Sequence, residues 1–366
     1  MSEYIKEIMI DSYDELIKII QGKTNHCENL REKFIFRGLA DNTYKLIPSA
    51  LRYEDEKKET KIINDYILDS EFQFNMNKQL TFVNSKGEEK IGTLYASIDK
   101  DEKPILEKPK YTVKSEGELQ FKREIYVLLK FLDYADKIGL KIPTNASIRQ
   151  WIHNSLEYSD NEEIWPKSEF YDIISLAQHH HLPTRALDWS YDYKIALFFA
   201  VRNILKDKDM DCILWAFNYK VFEEKNITKR NIDKKEGLIV YRPEYNVNPN
   251  LKAQQGLFTF WASNDYINMD DDTPFDRLLT KKIMKMKSKN SNKIRFNLNG
   301  MTYEIDSEEK IFYKIIIPSR LKAKILKELY LEGYSHENIF PNYYGVVNSI
   351  KNRVKLEKIL NKKSEK

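Results

Sequence analysis

The residues with the most chemistry lie between Ala177 and Ala200, in AQHHHLPTRALDWSYDYKIALFFA. Gln178, three consecutive histidines (His179, His180 and His181), Arg185, Asp188, Trp189 and Ser190 precede the apolar run IALFFA directly. Imidazoles can donate, accept or move a proton near neutral pH. Asp188 supplies a carboxylate, Arg185 a planar cation and Trp189 a flat face for stacking. Polar groups at the edge of a segment that needs full burial are what a binding or catalytic pocket requires. A purely structural reading is also open: Asp188 and Ser190 would cap the following helix and Trp189 would plug the core.

Phe36-Arg37-Gly38 is the second group. An arginine near the end of an apolar strand, next to a glycine that admits close backbone approach, can clamp a phosphate or carboxylate through two parallel bonds. A surface ion pair is the alternative. The third group is Gln254-Gln255-Gly256, before a strand-like LFTFW. An amide there can bond a sugar hydroxyl or a ligand amide. A polar loop entering a strand is the plainer account. The histidine tract predicts no metal site. Consecutive histidines point in different directions, HExxH is absent, and His153 and His336 offer no ligand spacing.

The elements that must position these groups mix strands and helices without strict alternation, which predicts α+β: a mixed or antiparallel central sheet with flanking helices. Residues 10–21 read as a helix capped by Asp11 or Ser12, with Glu15 at capping-box spacing from Ser12. Residues 33–38 read as a strand ending in a glycine turn. Residues 119–138 read as the clearest helix, closed by Gly139. Helices are predicted over 171–178, 193–205 and 320–333, the last capped by Ser319 and Gly333. Strands are predicted over 212–218, 237–242, 257–261 and 310–317. The chain reads as a single domain over 1–366, with its core about 30–350. A charged insertion at 53–117 carries a hairpin, and a charged helical tail covers 351–366.

Composition narrows the class. The chain has 366 residues, is 42% hydrophobic, and sets 60 Lys and Arg against 56 Asp and Glu, a net charge of +4. Balanced charge gives no global case for nucleic-acid binding. Two cysteines are too few for a disulfide framework and suit a reducing compartment. The N-terminus lacks a signal-peptide layout, and no run approaches a membrane span, so a cytoplasmic protein without membrane partners is expected.

Taken together, these motifs resemble the FRG domain family. The resemblance rests on Phe36-Arg37-Gly38; Pro48-Ser49 and Arg52; Gln178-His179; Leu182 to Arg185; Leu187 to Ser190; Ala196-Leu197 with Phe199-Ala200; Ala253 to Thr259; and a closing Ile339-Phe340-Pro341 with Gly345. His180-His181, Ala186 and Tyr343-Tyr344 depart from the family's usual residues. The family recurs in bacterial and phage-related proteins, so the resemblance implies a phage-defence or toxin setting. The order of motifs is also similar to ADP-ribosyltransferases of the arginine–serine–glutamate type. That likeness implies NAD as substrate, without a metal, and an unknown protein or RNA target. Arg37, Gly38, Gln178, Arg185, Trp189, Ser190 and Gln254 would bind the nucleotide, with Arg37 on its pyrophosphate. Asp188, His179 and Gln255 would act on it. The likeness calls for a carboxylate where Gln254-Gln255 stands, which leaves Asp188 or Glu244 to stabilise the oxocarbenium-like charge. A non-enzymatic sensor or binding module, and an RNA-directed nuclease toxin using the histidines with Asp188, are the alternative functions.

Overall fold

The computed structural model describes residues 4–24, 28–51, 79–83, 89–93, 96–98, 104–106, 116–143, 148–149, 165–203, 210–223, 237–262, 274–284, 293–298, 301–306 and 309–364. The first third holds β1 (Ile5–Met9), α1 (Tyr13–Ile20), β2 (Phe34–Leu39), β3 (Gln79–Val83), β4 (Glu89–Thr93), β5 (Ala96–Ile98), β6 (Pro104–Leu106) and α2 (Glu116–Lys137). The middle holds α3 (Tyr171–His179), β7 (Leu187–Ser190), α4 (Tyr193–Val201), β8 (Cys212–Asn218), β9 (Gly237–Tyr241), α5 (Pro249–Ala253) and β10 (Gly256–Ala262). The last third holds α6 (Phe275–Met284), β11 (Lys293–Leu298), β12 (Met301–Asp306), β13 (Phe312–Ile317), α7 (Lys322–Leu331) and α8 (Tyr343–Ser364).

Seven strands form one sheet in the order β1-β13-β8-β2-β7-β10-β9. β1 lies parallel to β13, and every other neighbouring pair is antiparallel. The protein is therefore α+β with a mixed sheet. β3 pairs with β4 in a hairpin and β5 with β6. The rest of the 53–117 segment, apart from the first two residues of α2, lies outside the described residues, as do Arg52 and His153.

Local chemistry explains the elements that flank the site. Ser12 Oγ accepts from the Glu15 amide at 3.1 Å, and the Glu15 carboxylate accepts from the Asp11 amide at 2.7 Å, which closes the start of α1. Helix α2 ends where Gly139 takes φ +74°, and the amides of Gly139 and Leu140 close back onto Asp136 and Ala135. Ser319 makes no side-chain cap. It opens a short 3-10 turn that leads into α7.

Alternation along the strands builds three apolar clusters. Phe34 and Phe36 of β2, with Leu214, Ala216, Tyr313 and Ile315, pack against α1, α4 and α7. Phe258, Phe260 and Ile239 pack on the same face against α2 and α3. Ile35, Leu39, Trp189, Trp215, Phe217 and Leu257 face the opposite side, toward α6 and β12. The two clusters on the first face meet at β2 and β7, and those strands share a single residue pair, Phe36 with Ser190. The sheet splays beyond that pair, and the helices on either side leave a gap above it. Residues outside 30–350 add to the first cluster, through Ile10, Leu16 and Ile20 at one end and Leu356 of α8 at the other.

Gly38 lies inside β2, where the sequence suggested a turn. A Cβ there would sit 1.9 Å from the Ala196 carbonyl oxygen of α4, so the residue lets that helix lie directly on the strand.

Candidate functional site

The gap between β2 and β7 opens into a cleft of about 900 Å³. That is large enough for a nucleotide-sized ligand. Its floor is the β2–β7 splay and its walls are the end of α3, the end of α4, α5 and the turn around Phe340.

Arg37 and Asp188 meet at the floor. Arg37 Nη1 bonds Asp188 Oδ1 at 2.5 Å and donates to the Asp188 carbonyl at 2.6 Å. The guanidinium bridges strands that no longer pair through their backbones. The Arg37 side chain is 12% exposed and that of Asp188 55% exposed, so the pair is anchored on one side and open on the other. Gln178 Nε2 adds a long bond of 3.4 Å to Asp188 Oδ1. Gln178 is itself oriented because its Oε1 accepts from Thr184 Oγ1 at 2.7 Å and from Ser49 Oγ at 3.3 Å. Among the described residues lining the cleft, Asp188 is the one carboxylate, against the cations Arg37, Lys45 and Arg202.

His179 is held in one tautomer by a chain of amides. The Gly345 amide can only donate, so Asn342 Oδ1 accepts at 2.9 Å. Asn342 Nδ2 then donates to Asn250 Oδ1 at 3.4 Å, which leaves Asn250 Nδ2 to donate to His179 Nε2 at 3.0 Å. The proton of the neutral ring therefore sits on Nδ1. Burial first, then the neighbouring His180 and His181, push the pKa of His179 down to about 4, and Asp188 opposes them only in part. His179 is a fixed neutral group at physiological pH. The rings of His179 and His180 stand edge-on at 5.2 Å, while His180 and His181 are exposed. No group of three or more His, Cys, Asp or Glu able to hold a metal occurs among the described residues.

Of the residues singled out in the sequence, Trp189 and Ser190 line the cleft but are themselves buried, and others lie elsewhere. Arg185 is turned away from the cleft and only 3% exposed, forked onto Glu124 through two bonds of 2.9 Å. Trp165 Nε1 donates to the same carboxylate at 2.9 Å. Trp189 offers no stacking face, because β7 is a strand and alternation sends its indole to the side opposite Asp188. It packs there on Phe217 and Phe275 and donates to Thr259 Oγ1 at 2.9 Å. Ser190 ends that strand and does not start α4. Its hydroxyl donates to the Gln254 carbonyl at 2.8 Å and accepts from the Asp192 amide, while Asp192 caps α4. Gln255 adopts φ +45°, and its exposed side chain does not line the cleft; Gln254 does. Glu244 is exposed and away from the cleft. His336 is buried, bonded to Tyr330 and Asn352. Arg37, Gly38, Gln178, His179, Asp188 and Gln254 come together in the cleft, with Trp189 and Ser190 in its lining.

Sequence reasoning missed Arg202, Asn250 and Asn342. Arg202 lies three residues beyond Phe199, the position at which a helical neighbour shares its face, which is the signal that could have found it.

Fold and site define an α+β protein whose cleft opens where two antiparallel strands part, with an arginine–aspartate pair at its base. The family model of the FRG domain matches residues 130–209. That stretch holds Gln178, the histidines, Asp188 and Arg202, while Arg37 and Gln254 reach the cleft from outside it. No curated protein and no solved structure gives a significant match to the chain. No helix among the described residues is long and apolar enough to cross a membrane.

Proposed function

We propose that the cleft binds an NAD-like nucleotide and that Asp188 is the carboxylate facing the glycosidic bond to nicotinamide. The observation that carries this reading is the half-exposed Asp188, held by Arg37 at the floor of a cleft of about 900 Å³. A carboxylate fixed before the reaction stabilises positive charge on the ribose carbon as nicotinamide leaves, with no reorganisation at that moment. Arg37 and Gln178 act as positioning residues, because both hold Asp188 Oδ1. His179, neutral and fixed in orientation, serves as a hydrogen-bond donor through Nδ1 and not as an acid. The C1′–N bond breaks with its electron pair going to the nicotinamide nitrogen, and water or a nucleophile of the target forms the new bond to C1′ and releases its proton to solvent. The FRG resemblance supplies the setting, a bacterial defence or toxin protein acting on a macromolecule.

The test is nicotinamide release from NAD by the full chain and by Asp188→Asn and Arg37→Ala. Release at least 100-fold slower in Asp188→Asn, roughly the loss of one transition-state electrostatic contact, supports the reading. Equal background in all three ends the enzymatic version.

A binding module without turnover is the second reading. The pairing of Asp188 with Arg37 favours it, because an aspartate already neutralised stabilises a cation less well. Saturable NAD binding with no nicotinamide release would select it.

A further inference from the structure

Arg202 caps the carboxyl end of α4 and lines the cleft. Its guanidinium lies 4.7 Å from the centroid of Phe199 and 5.5 Å from that of Phe340. Aromatic contacts take the flat face of a guanidinium and leave its N–H edge available. Arg37, Arg185, Arg320 and Arg353 each bond a carboxylate. Arg202 has no hydrogen-bonding or ion-pair partner for its side chain among the described residues. Arg202 stands where a cation complements the helix dipole, yet its side chain bonds none of the last carbonyls of α4 among the described residues, which leaves its N–H groups available to a ligand. Burial pulls its pKa down while Tyr344 and Asp188 push it up. A guanidinium does not deprotonate in a protein, so Arg202 stays a half-buried cation with no bonded anion among the described residues.

The charges in the cleft set where an anion goes. Arg37 is neutralised by Asp188, and a phosphate placed on it would meet that carboxylate. Arg202 carries no such bonded anion.

We propose that Arg202 is the phosphate-binding group of the cleft, taking the diphosphate of a nucleotide on its free N–H edge, with Asn203 and Asn342 beside it. This rests on the nucleotide reading above and revises the expectation that Arg37 holds the pyrophosphate. It also sets the ligand's direction, with the diphosphate toward α4 and Phe340 and the distal ribose toward Asp188.

The experiment titrates ADP-ribose and adenosine into the full chain and into Arg202→Gln and Arg202→Lys, with unfolding midpoints recorded in parallel. Arg202→Gln is expected to weaken ADP-ribose about 10- to 100-fold, the loss of a charge-assisted contact, and adenosine less than about twofold. Arg202→Lys is expected to recover part of the loss, because it keeps the charge without the fork. ADP-ribose binding unchanged in Arg202→Gln, equal losses for both probes, or no binding of ADP-ribose to the wild type would overturn the proposal. If Arg202→Gln unfolds, Arg202→Lys decides: wild-type affinity for ADP-ribose in that variant also overturns it. ADP-ribose binding that depends on Arg202, without NAD cleavage, keeps this site and ends the transferase reading. NAD cleavage with an unchanged KM in Arg202→Gln ends this site and keeps that reading.

Discussion

Two arginine–carboxylate pairs draw on residues three apart in the chain, Arg185 and Asp188, and stand in opposite environments. Arg185 with Glu124 is sealed between α2 and α3, at 3% and 6% exposure. Arg37 with Asp188 floors the cleft, at 12% and 55%. One short stretch, Arg185 to Asp188, supplies a member to each. The buried pair ties α2 to the stretch that enters β7, with a third bond from Trp165. The open pair bridges strands that have parted and leaves a carboxylate in solvent reach. The same chemistry thus reads as architecture where water is excluded and as a candidate site where it is not.

The largest expected effect comes from breaking the sealed pair. Glu124→Ala removes the forked carboxylate from a buried guanidinium and is expected to lower stability by about 3–5 kcal/mol in chemical denaturation. Asp188→Asn keeps an amide oxygen for Arg37 to bond on the open side of the pair and is expected to lower stability less, by about 0.5–1.5 kcal/mol. Similar losses in the two variants would erase the distinction. Next is Gly38→Ala, which drives a methyl group into the Ala196 carbonyl and is expected to cost at the upper end of about 1–3 kcal/mol. It would also part α4 from β2 and so disturb the cleft. A variant of wild-type stability would show that α4 does not depend on that close approach.

A smaller effect is pH-dependent. His179 and His336 are both pushed down to about 4, chiefly by burial. In the unfolded chain they titrate near 6.5. The unfolded state therefore binds more protons between those values. Their contribution to stability is fully present above about pH 6.5 and is lost as pH falls toward 4. Unfolding midpoints from pH 7 to pH 4.5 should fall, and His179→Gln should flatten part of that slope. An identical slope in the variant would contradict the buried, neutral assignment. The smallest effect is spectroscopic: the imidazole nitrogen shifts of His179 should report a proton on Nδ1 throughout pH 6–8, and a proton on Nε2 would break the amide chain from Gly345.

Much of this arrangement was legible in the sequence because burial patterning is local. β8 opens with six apolar residues over 212–217, and α2 repeats its buried positions at helical spacing. The site was harder. β7 is four residues long, too short for its alternation to show, and that hid the opposite facing of Asp188 and Trp189. The left-handed turn at Gln255 decides which of two adjacent glutamines enters the cleft, and no propensity rule states it for a non-glycine residue. Arg185 and Arg37 are alike in sequence as arginines beside apolar runs. Only the distant Glu124 separates their fates, and a tertiary partner leaves no mark in local composition.

Arg37 and Asp188 at the base of the cleft are the groups on which nucleotide binding depends. Calorimetric titration of NAD into the wild-type chain and into Arg37→Ala tests it most directly. The prediction is saturable one-to-one binding to the wild type and a loss of at least tenfold in the variant, at a similar unfolding midpoint. No binding to the wild type, or equal affinity in both, would contradict it.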